Sequence, residues 1–424
     1  MFEFLFKGLI RDKSRSLLPV IVVSLGVTLS VFFIGYIEGF STDMISQNAR
    51  FGTGHVKVMT REYVKNISQR PLDLSILEAD KLLEQLNDKY PEMDWVRRFS
   101  FGGILDVPDK NGITKTQGIA GGMAFNLSSS SKDLERMQIR ENLVEGKMPS
   151  GSFEMLLGKG LAERMGVKLG DTITFFGATM DGSMSFQNFT YVGAVSFGMS
   201  VMDDRTFIID TKDAEQILDM ENAAQEIFGF LPNDIYDGDK IQEVKNSFNA
   251  LYENDTDEYA PEMLALRDQN GLSTMLDLMN TFASIFNIFF IFAMSIVLWN
   301  TGLLGGLRRY TEFGIRIAIG ESKKAIYKSL LLESVIVGVI GSIIGTVFGL
   351  LLTFYLQEVG LDISNVTSGQ NSVLISNVIR AKLVSTQLWI GFIPGVMATF
   401  LGALLSGRGI FKRQTSELFN ELGV

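Results

Sequence analysis

The stretch Arg308-Arg309-Tyr310-Thr311-Glu312-Phe313-Gly314-Ile315-Arg316-Ile317-Ala318-Ile319-Gly320 is short, charged and punctuated by glycine, and it lies between two long apolar segments. Lipid offers a bare backbone no hydrogen-bond partners, so a link between two spans must sit in water or against protein. Its excess of Lys and Arg puts it on the cytoplasmic side. A compact helix of mixed charge held at the membrane surface suits docking to a soluble partner better than merely joining two helices.

Four segments are apolar enough to cross a bilayer, which takes about 20 residues. They cover residues 17–37 (LLPVIVVSLGVTLSVFFIGYI), 278–298, 330–356 and 388–405. In the third, the spacing Gly341-x-x-x-Gly345-x-x-x-Gly349 predicts close approach of a neighbouring helix. The first has an apolar core longer than the ~7–15 residues of a cleaved signal, and Glu38-Gly39-Phe40 follow it in place of a small-residue cleavage site. It reads as a retained anchor. Basic residues fix the orientation. Lys7, Arg11, Lys13 and Arg15 precede the first span, Arg308, Arg309, Arg316, Lys323, Lys324 and Lys328 fill the second link, and Arg408, Lys412 and Arg413 follow the fourth. Only Arg380 and Lys382 lie between the third and fourth spans. Both ends and the 308–328 link are therefore expected in the cytoplasm, and the long insert on the other side.

Composition narrows the chemistry. The 424 residues carry 38 Lys+Arg against 48 Asp+Glu, a net charge of -10 with no basic tract, which argues against nucleic acid. Cysteine is absent, excluding disulfides, zinc thiolates and thiol catalysis. A single histidine, His55, excludes a His-cluster metal site and a two-histidine mechanism, and is expected to be structural.

The insert alternates β-rich runs (residues 55–59, 172–176 and 206–210) with helical patterns at 75–89, 158–167 and 211–220, which predicts an α+β domain. The GKMPSG stretch at 146–151 is expected to divide two subdomains, and the acidic segment 237–272 to run back as a helical stalk into the second span. The fold class is thus an α-helical membrane protein with four transmembrane helices plus a large α+β extracytoplasmic domain inserted between helices 1 and 2. The expected division is an amphipathic cytoplasmic helix over 1–16, helix 1 over 17–40, the outer domain over 41–272 and helix 2 over 273–303. A cytoplasmic helix over 304–328, helix 3 over 329–357, an outer loop over 358–386, helix 4 over 387–406 and a tail over 407–424 complete it.

Several motifs follow one another on this topology. Lys13-Ser14-Arg15-Ser16, a Lys-x-Arg-Ser, lies in the amphipathic run from Leu9 to Leu18. Glu145-Gly146-Lys147-Met148-Pro149 is followed by Leu157-Gly158-Lys159-Gly160-Leu161-Ala162 and by Gly166-Val167-Lys168-Leu169-Gly170-Asp171. Glu312-Phe313-Gly314-Ile315-Arg316 with Ala318 and Gly320 precedes Leu331-Leu332-Glu333-Ser334 and the glycine-rich third span. In order and topology the chain resembles the MacB/LolC-LolE/FtsX superfamily of ABC transporter permeases across nearly its whole length.

The resemblance implies a division of labour. The chain has no G-x-x-x-x-G-K-[ST] loop, and Gly158-Lys159-Gly160 fails the spacing, so ATP and Mg belong to a separate ATPase present in two copies; no cofactor is expected in this chain. The 304–328 link then becomes the coupling helix, with Arg308, Arg309, Glu312, Gly314, Arg316 and Gly320 docking the ATPase and passing its closure to the outer domain by mechanotransmission. Glu312 and Arg316, four apart, share a helix face, where they pair with each other or reach the ATPase. Glu333, near the cytoplasmic end of the third span, is functional by default or pairs with Lys328.

Cargo is read from apolar surfaces. Phe32, Phe33, Tyr36, Phe40, Phe282, Phe286, Phe289 and Phe290 gather at the outer ends of the first two spans, an aromatic pocket suited to acyl chains or ordinary packing. Phe197, Met199 and Met202, with Met180, Met184 and Phe186, are candidate contacts to lipid or lipoprotein, Met-rich loops being adaptable, with buried core as the alternative. The expected function is a permease, not an enzyme, extracting lipoproteins from the outer leaflet of the inner membrane. It works with a second copy or paralogue, membrane lipids and a lipoprotein or other amphiphilic cargo. The alternatives are a MacB-like efflux or stress-response permease using a periplasmic adaptor, an FtsX-like regulator of cell-wall hydrolases, and a membrane sensor, for which the residues after the fourth span offer no output domain.

Overall fold

The computed structural model describes residues 13–109, 112–308, 310–363 and 374–411. The expected amphipathic helix over 1–16 lies outside them but for its last four residues, as do Arg309 and the tail from residue 412. The chain forms two compact units, one of residues 1–41, 275–361 and 379–424, the other of residues 42–274 and 362–378.

The first unit is helical. Lys13–Asn48, Leu272–Arg308, Lys323–Val359 and the pair Gln387–Ile390 and Phe392–Phe411 supply four stretches long and apolar enough to cross a membrane. The glycines of the third lie against a valine ridge of the first. A Cβ on Gly341 would fall 2.7 Å from Val23 Cγ1, one on Gly345 2.6 Å from Ser24 O and 2.7 Å from Val27 Cβ, and one on Gly349 2.7 Å from Val31 Cβ. Val23, Val27 and Val31 are fully buried. The backbones approach closely enough for Thr28 Oγ1 to donate across the seam to Gly345 O at 3.1 Å. Small residues at helix interfaces are how membrane helices gain contact without a hydrophobic driving force, so the four-residue glycine spacing does the work expected of it. At the start of the fourth stretch, Gln387 is buried and donates to Val31 O at 2.9 Å, pairing its amide with the first helix.

The second unit is built on one large sheet. In chain order its strands are β1 (Val56–Thr60), β2 (Asp94–Pro108), β3 (Thr114–Phe125), β4 (Leu143–Gly146), β5 (Glu154–Gly158), β6 (Thr172–Ala178), β7 (Met184–Val195), β8 (Thr206–Asp210), β9 (Glu226–Phe230) and β10 (Pro261–Ala265). They run β10-β1-β9-β2-β3-β8-β5-β7-β4, with β6 pairing both β2 and β7. The β-rich runs and helical patterns expected from the sequence are present, as Lys159–Met165 and Thr211–Leu218 illustrate.

Two expectations are corrected. The GKMPSG stretch joins β4 to β5 inside the continuous sheet. It is a tight turn, in which the Glu154 carboxylate accepts from the backbone of Ser150 and Gly151, and not a division. The cores divide elsewhere. Val56, Ile76, Leu82, Trp95, Ile227 and Met263 belong to one cluster, and Phe99, Leu105, Phe175, Phe189 and Phe207 to another, so the change falls inside β2 between Trp95 and Phe99. A strand long enough to serve both cores leaves no linker for composition to betray. Nor is 237–272 a continuous stalk. Helix Gly238–Asn249 ends, and the chain returns as β10 antiparallel to β1. The Asn249 side chain forces the reversal by bonding both Met263 O (2.9 Å) and Met263 N (2.8 Å), as a neighbouring strand would.

Residues 374–378, in the expected outer loop, are folded onto this second unit. Asn377 N donates to Gly198 O at 2.8 Å, and the Asn48 amide brackets the backbone of Leu374 at 3.0 and 3.2 Å.

Candidate functional site

Helix Tyr310–Ala318 is closed by its own sequence. Gly320, at φ +96°, takes the left-handed conformation that side chains disfavour. With it, Gly320 N bonds Ile317 O and Glu321 N bonds Arg316 O, both at 3.0 Å, the paired bonds of a Schellman turn. Arg316 then reaches over the turn, placing Nε and Nη2 on the two carboxylate oxygens of Glu321 at 2.7 Å each. Those side-chain bonds hold the Glu321 carboxyl below its usual range. Ser322 accepts from Ala325 N at 3.2 Å and starts the next helix at once. The short helix is thus fixed in direction at its C-terminal end.

Its two faces differ. Phe313 is buried, whereas Ile315 and Ile319, one turn apart, are 59% and 78% exposed, with exposed Ala318 between them. A Cβ on Gly314 would meet nothing within 4 Å, so within this chain that glycine serves no close approach. Sequence reading named Glu312 and Arg316 as a possible pair; the bidentate partner of Arg316 is Glu321, which it missed, and it missed the bare isoleucines too. The signal was available: a basic residue five before an acid with glycine between is the spacing a Schellman turn brings together. Arg308 ends the second long helix.

Part of the aromatic group assembles. Phe33 stacks on Phe286 at 4.0 Å between centroids, Phe286 meets Phe290 edge-on at 4.6 Å, and Phe289 lies 6.1 Å from Phe290. Phe282 and Phe289 are 63% and 60% exposed. Phe32, Tyr36 and Phe40 are half-buried on the first helix.

In the α+β unit the cargo-contact candidates separate. Phe197, Met199 and Met202 are buried in a core with Phe51, Val195 and Ile208, and are corrected from contacts to packing. The cause is Asp203, whose carboxylate accepts from Phe197 N at 2.6 Å and Ser196 Oγ at 3.2 Å and folds the loop inward. Met180 packs half-buried on the main core, while Met184 and Phe186 stand 81% and 74% exposed. His55 is buried; its Nδ1 accepts from Leu231 N at 3.0 Å, and burial lowers its pKa to about 4, the neutral structural histidine anticipated. Among the described residues no three His, Cys, Asp or Glu side chains gather as a metal site.

One buried feature went unread in the sequence. Arg98 is buried in the sheet and grips Asp133 through Nε (2.9 Å) and Nη2 (2.5 Å), its guanidinium lying over Phe228 and Phe230. Arg136 adds bonds to Asp133, Asp94 and Asp234 at 3.1, 2.8 and 2.7 Å. Burial pushes the Asp133 carboxyl up, but Arg98 and Arg136 outweigh it and hold it below the usual range.

Comparison with known proteins decides the family. The model of the MacB-like periplasmic core domain matches residues 16–250, more than half of the chain, and that of the FtsX-like permease C-terminal matches residues 284–415. The chain belongs to the MacB/FtsX family of ABC transporter permeases. An uncharacterized ABC transporter permease of Methanocaldococcus jannaschii is 21% identical over 409 residues, 95% of this chain and 94% of that one. The periplasmic region of MacB from Actinobacillus actinomycetemcomitans aligns over 52% of this chain and 92% of its own length, at 11% identity and a TM-score of 0.35. As a MacB/FtsX permease the chain is a membrane protein with an extracytoplasmic domain, and its family implies an ATPase partner.

Proposed function

We propose that helix Tyr310–Ala318 is the surface on which that ATPase docks, and that the permease carries nucleotide-driven closure to its outer domain. The observation that carries this reading is the bare pair Ile315 and Ile319 on a helix whose end is fixed by Gly320 and the Arg316–Glu321 bridge. A rigid helix with one buried and one open apolar face transmits a push, where a flexible link would absorb it. Gly314 leaves room for the ATPase backbone to come near. The test is recovery of the ATPase with a tagged permease from native membranes. Ile315→Asp with Ile319→Asp, or Glu312 and Arg316 replaced together, is expected to abolish recovery while insertion stays intact; unchanged recovery and activity would remove the docking role.

For cargo, the reading we favour is extraction of lipoproteins from the outer leaflet of the inner membrane, with two permease subunits, two ATPases and the α+β domain in the periplasm. The stack of Phe33, Phe286 and Phe290 with the exposed rings of Phe282 and Phe289 supports it, because aromatic faces along a pair of spans suit acyl chains. Charge at Phe33 or Phe286 is expected to block release of lipid-linked cargo, and normal release would eliminate the aromatic site. The second reading is MacB-like efflux through a periplasmic adaptor, favoured by the family match of residues 16–250. Mass spectrometry of what co-purifies separates the two: acylated lipoproteins for the first, an adaptor for the second.

A further inference from the structure

The face of the sheet turned away from its core carries a continuous row of large apolar side chains. Ile119 of β3 stands directly opposite Ile104 of β2, Ile104 opposite Phe176 of β6, and Phe176 opposite Phe186 of β7. Directly opposed residues share a face, so the four form one stripe across four strands, 80%, 44%, 37% and 74% exposed in that order. In the next row, Gly102 faces Gly121 and Ala178 faces Met184, itself 81% exposed. A Cβ on Gly102 would meet nothing within 4 Å, and Gly102 and Ala178 line an open cavity bordered by Arg70, Asp73 and Asp181. On the other side the band ends at a polar row of Gln117, Asp106, Thr174 and Asn188.

The opposite faces of these strands are already filled by Phe101, Leu105, Phe175 and Phe189. An antiparallel sheet with one wet face alternates apolar with polar; here both faces are apolar. The bare side chains offer on the order of 600 Å² of apolar surface, at the top of the ~300–600 Å² that a monomer's largest patch reaches and short of the ~800 Å² each partner brings to a standard interface.

We propose that this face is an interface with a second copy of this chain. Neither of its two apolar rows contains a charge, so like faces meet without repulsion. A two-fold axis along the strands between β2 and β6 reverses the row. It sets Ile119 over Phe186 of the second copy and Ile104 over Phe176, one isoleucine against one phenylalanine at every contact. The same axis lays polar row on polar row, with Asp106 opposite Thr174 and not opposite its own equivalent. That self-complementarity is what an isologous contact requires, and face-to-face sheets at ~10 Å accommodate side chains of this size. The inference goes beyond the permease role and does not depend on the cargo.

The chain's lack of cysteine makes the test direct. Full-length chains carrying Ile104→Cys and Phe176→Cys are co-expressed, and membranes are treated with a short bis-maleimide. A cross-linked dimer joining the two variants is expected, and it should be lost when Ile119→Asp and Phe186→Asp are added, changes at exposed positions that leave the core untouched. Dimer formed equally with a control cysteine at Glu84, on the helix Ala79–Lys89 that packs on the other core, would overturn the interface. So would adducts to a different protein, or no adduct although both thiols react with a simple maleimide. ATPase recovery from the same membranes reports separately on the permease reading, so either can fail alone.

Discussion

Adding one methyl group at Gly345 tests whether the first and third apolar helices are locked by the glycine seam. In Gly345→Ala the new Cβ would lie 2.6 Å from the backbone oxygen of Ser24 and 2.7 Å from Val27 Cβ, whereas ordinary contact begins at 3.4 Å. Neither atom ends a flexible side chain, so the helices must part by about 0.8 Å along that direction, the gap between 2.6 and 3.4 Å. Such overpacking costs about 1–3 kcal/mol, and the parting weakens the bond from Thr28 Oγ1 to Gly345 O, worth roughly 0.6 kcal/mol between membrane helices. Against this, alanine is favoured over glycine in a helix by about 1 kcal/mol. The balance is a net loss, largest where the helices cannot re-seat. Gly314→Ala supplies the comparison: its Cβ meets nothing within 4 Å, so only the helix gain of up to about 1 kcal/mol remains. Thermal unfolding of the purified full chain in one detergent should lower Tm for Gly345→Ala and hold or raise it for Gly314→Ala. Equal shifts of the same sign would refute the seam, because the two sites would then differ only in helix propensity.

Other consequences can be measured on the same preparation. Asp133→Ala strands the buried Arg98 without its carboxylate and should cost about 3–5 kcal/mol in denaturant unfolding of the outer domain; a loss under 1 kcal/mol, roughly that of an exposed pair, would mean the network is not buried as described. Burial lowers the His55 pKa in the folded chain to about 4, against the ordinary 6.5 of histidine. The unfolded chain therefore binds the proton that the folded one refuses, and stability is complete above pH 6.5 and drains as pH falls towards 4, by up to about 3 kcal/mol. His55→Asn, which retains an acceptor for Leu231 N, should flatten that window, and an unchanged difference profile would contradict the assignment. Glu321→Gln should leave stability nearly unchanged, since the Arg316 pair is open to solvent, yet lower ATPase recovery because the short helix loses its tether; full recovery would show that the bridge does not orient the docking face.

What was legible in the sequence follows the range of the forces involved. A bilayer imposes length and hydropathy on each span independently, so residues 17–37 or 330–356 declare themselves without reference to anything else, and Gly341, Gly345 and Gly349 name their own face by spacing. The link between the second and third long helices was legible for the same reason, being local, but only up to its turn: the Arg316–Glu321 bond depends on the positive φ of Gly320, which charges read at helical spacing do not reveal.

The α+β unit is where locality fails. Phe197, Met199 and Met202 resemble in composition the exposed Met184 and Phe186, which lie at the start of β7; a carboxylate at Asp203, six residues after Phe197, turns the first three inward. The outward row is harder still. Ile104, Ile119, Phe176 and Phe186 lie on strands separated by up to tens of residues, and of the four the sequence marked only Phe186. Only the register makes them one surface, and the sheet's core-facing side consumes the alternation that would have marked them as out of place. A strand apolar on both faces reads from sequence as a buried strand. The exposure of this one is therefore an argument that something covers it, because a protein that must keep a bare β-face soluble ordinarily spends charge there, and within these two rows this chain has placed none.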